Sequence, residues 1–295
     1  GFMEKQEAHI KGLLHRAFSV FIFNDKNELL LQRRALKKYH SGGLWTNTCC
    51  SHPRKNETTL DAANRRLVEE MGMRCIIKKQ FDFIYKAKLD NNLYEHEFDH
   101  VFFGFSNEQP QINTEEVEEY TYKTLEDIAK TLFKSWFIDF DPVRAKAEGR
   151  AIGLSKEISD LFPDSFEDSE FGEIPKGWQI KEIQELCESI SSGGTPKRKQ
   201  KDYWENGTID WFKTGELLDT YLLESEEKIT DSAVRESSCK LWNKGTILFA
   251  IYASPTVGRL GILTKPSTSN QAAAGLIPKE SVGMPFLKNL LLNQY

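Results

Sequence analysis

The sequence of 295 residues predicts an α/β (α+β) sandwich, followed by a second domain of mixed α/β structure. In the first half, apolar runs rich in β-forming residues enclose one strongly periodic helical segment, and strands mixed with a central helix typically form sandwiches. All six histidines lie in the first hundred residues, whereas five of the six tryptophans lie after residue 130. A polar stretch at 149–177, with two prolines and a run of acids, has the composition of a domain boundary.

Composition and charge exclude several classes of protein. Hydrophobic residues make up 39% and charged residues 28%, as in globular rather than disordered proteins. The net charge is −5, and the 18 basic and 18 acidic residues up to residue 125 cancel, so nothing attracts the whole chain to nucleic acid or anionic membranes. Five cysteines without regular spacing indicate a reducing compartment, and we find neither a long apolar run nor a signal region. We therefore expect a cytoplasmic protein without a membrane partner.

The strands of the first half are predicted by short apolar runs. Residues 15–25 and 28–35 are predicted to pair as a hairpin, because the polar residues 25–27 separate two β-rich runs. Further strands are predicted at 75–87 and 92–105. Within the last of these, alternation places the carboxylates of Glu95, Glu97 and Asp99 on one face, about 6.7 Å apart along the strand. That spacing suits a cation or acid–base chemistry, and a solvated charged face is the alternative.

The helix is predicted over residues 58–72. Thr58 or Thr59 can cap its start, and Gly72 can end it. A second helix is predicted to begin near Leu125. The apolar positions that recur every three to four residues in the first helix are Leu60, Ala63, Leu67 and Met71.

The same helix carries a charged motif. Seven residues after Glu57 comes a run whose fixed positions are Arg65, Arg66, Leu67, Glu69, Glu70, Gly72 and Met73. The pattern resembles the Nudix box, in which helical glutamates hold Mg²⁺ against a diphosphate. Here Ser51 stands where the box begins with glycine, and Arg66 replaces a glutamate. The exchange of a carboxylate for a guanidinium favours clamping a diphosphate over hydrolysing it; the alternative is a charged amphipathic helix.

Longer stretches extend the resemblance. "EKQEAHIKGLLHRAFSVFIFN", "LLQRRALKKYHSGGLWTNTCCSHP", "AANRRLVEEMG" and "YKAKLDNNLYEHEFDHVFFG" resemble the type 1 isopentenyl-diphosphate isomerases, which have a Nudix fold, over residues 1 to about 128. The resemblance implies isomerisation of isopentenyl diphosphate to dimethylallyl diphosphate, a step of isoprenoid precursor biosynthesis. In that reaction one alkene carbon is protonated and another loses a proton.

The resemblance also implies roles for single residues. Cys50 and Glu97 would be the catalytic thiol and carboxylate on opposite faces of the substrate, with Tyr85 beside the carboxylate. Residues implied to contact the diphosphate are Lys5, Arg34, Lys38 and Arg66. Ligands implied for Mn²⁺ or Zn²⁺ are His9, His15, His52, Glu95 and Glu97, and those for Mg²⁺ are Glu70 and the backbone carbonyl of Cys50. Mixed imidazole and carboxylate ligands suit these metals.

The other histidines, Cys49 and Trp45 are not among the implied ligands. We expect His40 to be an exposed loop residue, and His96 and His100 to be structural or on the surface. Cys49 should pack beside Cys50 with its side chain pointing the other way, and Trp45 should line the pocket. The sequence begins just before the first implied metal ligand and departs from the family near residue 129. We therefore expect the domain to lack the family's first strand and last helix.

The second half resembles another family. "AKTLFKSWFIDFDPVRAKAEGR" resembles the conserved helical region of type I restriction–modification specificity subunits, and "GEIPKGWQIKEIQELCESISSGGTPKRKQKDYWENGTIDWFKTGEL" resembles one of their target-recognition domains. We therefore divide this half into a helical segment at 129–150, a linker at 151–174 and a truncated recognition domain at 175–295. The resemblance implies DNA and type I methylation and restriction subunits as partners, without catalysis.

One basic cluster could contact DNA. Lys197, Arg198, Lys199 and Lys201 follow two glycines in a half that is otherwise net acidic. A solvated loop explains the cluster equally well.

Our interpretation is an isopentenyl-diphosphate isomerase joined to a partial DNA-recognition module. The alternatives are a Nudix diphosphate hydrolase, and a DNA-specificity subunit that carries the isomerase half as a passenger. A join that arose by gene fusion or sequence assembly, without joint function, is a further alternative.

Overall fold

A computed structural model describes residues 3–38, 40–88, 93–150, 152, 154, 156–252 and 254–293. The chain divides into two compact units, residues 1–178 and 179–295. The first unit thus extends past the sequence-based boundary near residue 128.

The first unit is built on a seven-stranded sheet. Its strands are β1 (His15–Phe23), β2 (Glu28–Arg34), β3 (Trp45–Thr46), β4 (Cys49–Ser51), β5 (Ile77–Lys88), β6 (Tyr94–Phe105) and β7 (Val117–Thr124). The order is β3-β2-β1-β6-β5, with β4 paired to β1 and β7 paired to β2. The predicted hairpin and both later strands are present, although residue 92, the predicted start of β6, lies outside the described residues.

The predicted helix is α2 (Thr59–Met71), and its ends match the sequence signals. The side chain of Thr58 accepts a hydrogen bond from the backbone of Asp61, and Gly72 ends the helix in the left-handed conformation. Ala63, Leu67 and Met71 are buried, as predicted. Leu60 is exposed, because the buried face begins at Ala62 instead.

The described residues of the first unit also form four further helices and one hairpin. The helices are α1 (Lys5–Lys11), α3 (Leu125–Phe137), α4 (Asp141–Ala147) and α5 (Lys156–Ser159), and the hairpin consists of β8 (Phe166–Ser169) and β9 (Gly172–Pro175). Phe137 contacts Phe162 and Trp178, with ring centroids 6.3 and 5.9 Å away. This aromatic cluster joins the predicted helical segment to the predicted linker, of which residues 151, 153 and 155 lie outside the described part.

Alternation along β1 separates the core from the site. Phe18, Val20 and Ile22 are fully buried in the core that α2 covers. The residues between them point to the other face of the sheet. On that face Ser19 is opposite Cys50 of β4, and His15 is beside Glu97 of the parallel strand β6.

The second unit contains two smaller sheets, which agrees with the predicted mixed α/β class. The elements of this unit are α6 (Ile183–Leu186), β10 (Cys187–Ser192), β11 (Ile209–Phe212), β12 (Thr220–Leu222), β13 (Glu227–Ile229), α7 (Asp231–Glu236), β14 (Ile247–Ala250), β15 (Leu260–Leu263), β16 (Thr268–Ser269), β17 (Ala273–Pro278) and α8 (Met284–Leu292). The five-stranded sheet has the order β10-β17-β14-β15-β12, and the three-stranded sheet has the order β13-β11-β16.

Helix α8 packs its Leu287 and Leu291 into the core of the larger sheet. In the described part of the chain, no helix combines the length and the apolar character that crossing a membrane requires.

Gly72 allows a test of how α2 is held. Its φ is +65°, and an added Cβ would lie 2.6 Å from the carbonyl oxygen of Gln111. Gly149 has a similar φ of +68°, but an added Cβ would have no neighbour within 4 Å. We expect Gly149→Ala to cost about 1 kcal/mol of unfolding free energy and Gly72→Ala about 2 kcal/mol more, measured by urea unfolding. Equal losses of unfolding free energy in the two variants would show that the contact with Gln111 does not restrict residue 72.

Candidate functional site

Three imidazoles converge on one carboxylate in the first unit. His9 lies on α1, His15 begins β1, and His52 follows β4, while Glu97 lies on β6. The Nε2 atoms of His9, His15 and His52 lie 3.8, 3.6 and 2.9 Å from Oε1 of Glu97. One ligand atom from each of the four residues lies within 4.8 Å of the others. These four members of the predicted metal set are therefore brought together.

The geometry of the group fits a bound cation. The Nε2 atoms of His15 and His52 are 3.0 Å apart. Two nitrogens bound to one ion at about 2.1 Å are separated by about 3.0–3.4 Å. His9 is fully buried, and burial followed by the charge of His52 lowers its pKa to about 4. Burial also lowers the pKa of His52, so both rings favour the neutral form that binds metals.

Glu97 is ionised although it is buried. Burial opposes the charge, but hydrogen bonds from His15 and His52 outweigh it and lower the pKa of Glu97. The hydroxyl of Tyr85, which faces Glu97 across β5 and β6, is also 2.9 Å from Oε2 of Glu97. A buried carboxylate with this many donors is a strong ligand and a well-oriented base.

Glu95, the fifth predicted ligand, lies outside the group of four. Its Oε2 atom is 2.9 Å from the hydroxyl of Tyr85, so the hydroxyl is shared between Glu95 and Glu97. Burial and then the charge of Glu97 raise the pKa of Glu95. Burial and the two carboxylates likewise raise the pKa of Tyr85, which keeps its proton.

The two adjacent cysteines have different surroundings. Cys49 is fully buried in the core under α2, opposite Val20. Cys50 is opposite Ser19, so alternation directs its side chain to the other face of the sheet. Burial, and then the charge of Glu70, raise the pKa of Cys50 to about 12, with Glu97 acting in the same direction. Cys50 is therefore a protonated thiol near both carboxylates.

Two predicted diphosphate contacts already bind carboxylates. Arg66 donates from Nε to Oε1 of Glu70 at 2.9 Å and from Nη2 to Oε2 of Glu116 at 2.9 Å. Lys38 donates to the same oxygen of Glu116. Glu70 is buried and also accepts a hydrogen bond from Gln32 at 2.9 Å. Glu70 thus lies where the sequence predicts a carboxylate for Mg²⁺, with Arg66 as its counter-ion.

The other predicted diphosphate contacts lie close to this group. Burial, opposed by Cys50 and reinforced by Arg34 and Lys38, lowers the pKa of Lys5. Arg34 donates from Nη2 to the carbonyl oxygen of His40 at 3.3 Å. An open cavity of about 1090 Å³ is lined by residues that include Lys5, His15, His52 and Arg66. The cavity therefore joins the imidazole group to the basic residues.

Glu116 and His40 are two members of the site that the sequence interpretation missed. Glu116 lies in the acidic run 115–119, which has no motif spacing. The expectation that His40 is exposed is wrong: it is 6% exposed, and its ring centroid is 5.7 Å from that of His9. The loop between β2 and β3 folds inward there, which local sequence does not indicate.

His96 and His100 lie outside the imidazole group, as expected. Nδ1 of His96 is 3.1 Å from the carbonyl oxygen of Gly12, and Nδ1 of His100 is 3.9 Å from Asp82. Trp45 is 46% exposed on β3.

In the second unit, Arg198 makes more contacts within the fold than the three lysines of the basic cluster. Arg198 stacks over Trp204 and Trp211, at 3.8 and 4.7 Å from their ring centroids, and donates to both carboxylate oxygens of Glu227. These contacts hold Arg198 within its own loop, although its side chain is 49% exposed. Lys197, Lys199 and Lys201 are exposed, although Lys201 is 3.8 Å from Glu205.

Comparisons with known proteins divide the chain in the same way. Residues 13–143 match the family described as NUDIX domain, and residues 175–295 match the type I restriction modification DNA specificity domain. The isopentenyl-diphosphate Delta-isomerase of Pectobacterium atrosepticum is 54% identical over 143 residues, which cover 46% of this chain and 80% of that protein. The isopentenyl-diphosphate Delta-isomerase 2 of Aromatoleum aromaticum is 54% identical over 128 residues, which cover 43% of this chain and 68% of that protein.

The imidazole group makes metal binding testable. Mn²⁺ or Zn²⁺ at a hundred times its Kd should stabilise the chain by about 2.7 kcal/mol, because the ion binds only the folded form. We expect His52→Ala to abolish most of this gain. The control His100→Ala removes a histidine outside the group and should keep it. An equal rise in thermal unfolding temperature for His52→Ala and the wild type would contradict the site.

Proposed function

The chain belongs, through its first half, to the isopentenyl-diphosphate Delta-isomerase family, and from this premise we propose that it converts isopentenyl diphosphate to dimethylallyl diphosphate. The observation that carries the proposal is the convergence of His9, His15 and His52 on Glu97. Tyr85 and the thiol of Cys50 complete the set of proton-carrying groups around it.

The reaction moves a double bond and therefore needs two proton transfers. A proton must be added to the terminal methylene carbon, and another must leave the carbon on the far side of the branch. The branch carbon carries positive charge in between. An acid and a base must accordingly face the short apolar chain together, with water excluded so that the cation is not trapped.

The protonation states leave Cys50 as the proton donor and Glu97 as the acceptor. A thiol with its pKa near 12 carries its proton at neutral pH, and the lowered pKa of Glu97 leaves its carboxylate ionised. The thiol proton would pass to the methylene carbon, and the carboxylate would take the proton that leaves. Exchange with solvent then resets both groups. Tyr85 orients Glu97 through its hydroxyl.

The metal would be held by His9, His15, His52 and Glu97, with Glu95, which shares the hydroxyl of Tyr85 with Glu97, as a further candidate ligand. A bound divalent ion supplies positive charge that orients the carboxylate. We propose Mn²⁺ or Zn²⁺ for this imidazole-rich set, and Mg²⁺ at Glu70 with the carbonyl of Cys50, because Mg²⁺ prefers few protein oxygens plus phosphate and water.

The basic residues would hold the diphosphate. Lys5 and Arg66 line the cavity, and Arg34 and Lys38 are close enough to Lys5 for their charges to lower its pKa. Arg66 and Lys38 share Glu116 as an internal counter-ion, so the diphosphate would exchange with a carboxylate rather than with water. Guanidinium groups match phosphate oxygens in a bidentate way.

Hydrolysis of a diphosphate is the second candidate, and Arg66 argues against it. The side chain occupies the helix position of a Nudix glutamate and binds both Glu70 and Glu116. A guanidinium there neutralises the carboxylates that several metal ions would need.

For the second unit, we propose weak DNA binding in the manner of type I specificity domains. Exposed Lys197 and Lys199 are the candidate phosphate contacts, with the methylation and restriction subunits as further partners. We propose a cytoplasmic location, because the cysteines are unpaired. A single genomic read across the codons for residues 120–140 would test whether both halves are encoded together.

Isomerase activity is the first test. With Mn²⁺ or Zn²⁺ and Mg²⁺, the chain should convert isopentenyl diphosphate to dimethylallyl diphosphate, detected as loss of acid stability of the product. Release of phosphate without the isomer would replace the proposal with the hydrolase alternative.

The adjacent cysteines provide a matched pair of variants. Cys50→Ala should abolish turnover, because the proton donor is removed while the fold is kept. Cys49→Ala removes a thiol of the core and should keep most turnover, with a loss of about 1 kcal/mol in unfolding free energy. Turnover and urea unfolding of both variants separate the two effects. Equal loss of turnover would contradict the assignment of Cys50.

DNA binding is tested by its salt dependence. We expect the chain to bind duplex DNA weakly and only at low salt, because one small basic cluster lies in a half that is otherwise net acidic. Lys199→Ala should reduce the slope of log affinity against log salt by about 1. The control Lys244→Ala removes an exposed lysine that precedes β14 and lies outside the basic cluster, and it should leave the slope unchanged. Tight, sequence-specific binding at moderate salt would contradict the proposal of weak DNA binding.

A further inference from the structure

His40 lies between the two parts of the candidate site. Its ring packs edge-on against His9 at an interplanar angle of 62°, and its backbone carbonyl accepts a hydrogen bond from Arg34. His9 belongs to the imidazole group, and Arg34 to the residues implied to hold the diphosphate. One buried residue therefore contacts both.

The loop that carries His40 is fixed at its base. Arg34 donates its backbone N–H to the carbonyl of Leu44 and accepts a hydrogen bond from the N–H of Gly43, both at 2.9 Å. The side chain of Arg33 also donates to the carbonyl of Gly43 at 2.9 Å. Because the loop closes on Arg34 in this way, His40 is held in its inward position.

His9 needs support of this kind. It lies on α1, a helix of seven residues whose start has no side-chain cap. A helix this short is not stable by its own hydrogen bonds, so packing must set the direction of its side chains. The ring of His40 is an aromatic surface on one side of His9, and His15 and His52 lie 5.2 and 5.4 Å away on the others.

We propose that His40 is a positioning residue that couples metal binding to diphosphate binding: its ring fixes the imidazole of His9, and its carbonyl fixes the guanidinium of Arg34. The inference rests on the proposed function, since it assigns His9 to the metal and Arg34 to the diphosphate. It adds a residue that contacts neither ligand yet sets the geometry of both sites.

The test measures the Kd of Mn²⁺ and of inorganic pyrophosphate with Mg²⁺ for the full chain and three variants. His40→Ala removes the ring that anchors the loop and leaves the backbone carbonyl without that anchor, His40→Phe keeps an aromatic ring at the same place, and His100→Ala removes a partly buried histidine of β6. Loss of a partner that orients a metal ligand typically weakens metal binding 10–100-fold. We expect His40→Ala to lose about this much for Mn²⁺ and to bind pyrophosphate more weakly as well. His40→Phe and His100→Ala should stay within about threefold of the wild type for both.

Each of the other outcomes would contradict one part of the proposal. Wild-type affinity for Mn²⁺ in His40→Ala, with an unchanged metal-free unfolding temperature, would overturn the role of His40 and leave the metal site intact. Loss of Mn²⁺ but not pyrophosphate affinity would overturn the coupling. A His40→Phe variant as weak as His40→Ala would overturn the packing role, because the imidazole itself would then be required. A wild-type chain that binds no Mn²⁺ would overturn the metal centre and the inference together.

Discussion

The parallel pairing of β1 with β6 sets His15 beside Glu97, and the rest of the candidate site depends on this register. β5 adds Tyr85 opposite Glu97 on the other side of β6. β4 pairs with β1 from the remaining side and contributes Cys50. A shift of one residue in any of these pairings would turn the polar face into the core, because side chains alternate along a strand. Burial of Phe18, Val20 and Ile22 under α2 prevents such a shift.

Burial of Glu97 creates the electrostatic problem that the neighbouring residues solve. A carboxylate without partners would be protonated at this depth. The imidazoles and the hydroxyl of Tyr85 keep it ionised, and the same arrangement presents three nitrogens to one point in space. Elsewhere in the site, Arg66 donates to both Glu70 and Glu116. Burial opposes ionisation of Glu116, but hydrogen bonds from Lys38 and Arg66 outweigh it and lower the pKa of Glu116. Both halves of the site are thus buried charges balanced by near neighbours, which suits binding of metal ions and a diphosphate.

The second unit shows that a basic cluster in a sequence can already have partners within the fold. The guanidinium of Arg198 stacks on two tryptophans and donates to Glu227. A stacked, ion-paired arginine stabilises its own loop. Charge counted along a sequence therefore overestimates the charge that a polyanion would meet.

Local interactions along the chain were enough to predict one class of element. The bounds of α2 follow from Thr58 and Gly72, and strand positions follow from alternation, since neighbours along the chain make those contacts. The metal-ligand residues followed from resemblance, and four of them meet in space. The burial of His40, the pairing of Glu116 with Arg66 and the contacts of Arg198 became visible only in the folded chain, because these contacts join residues far apart in sequence and no local pattern encodes them.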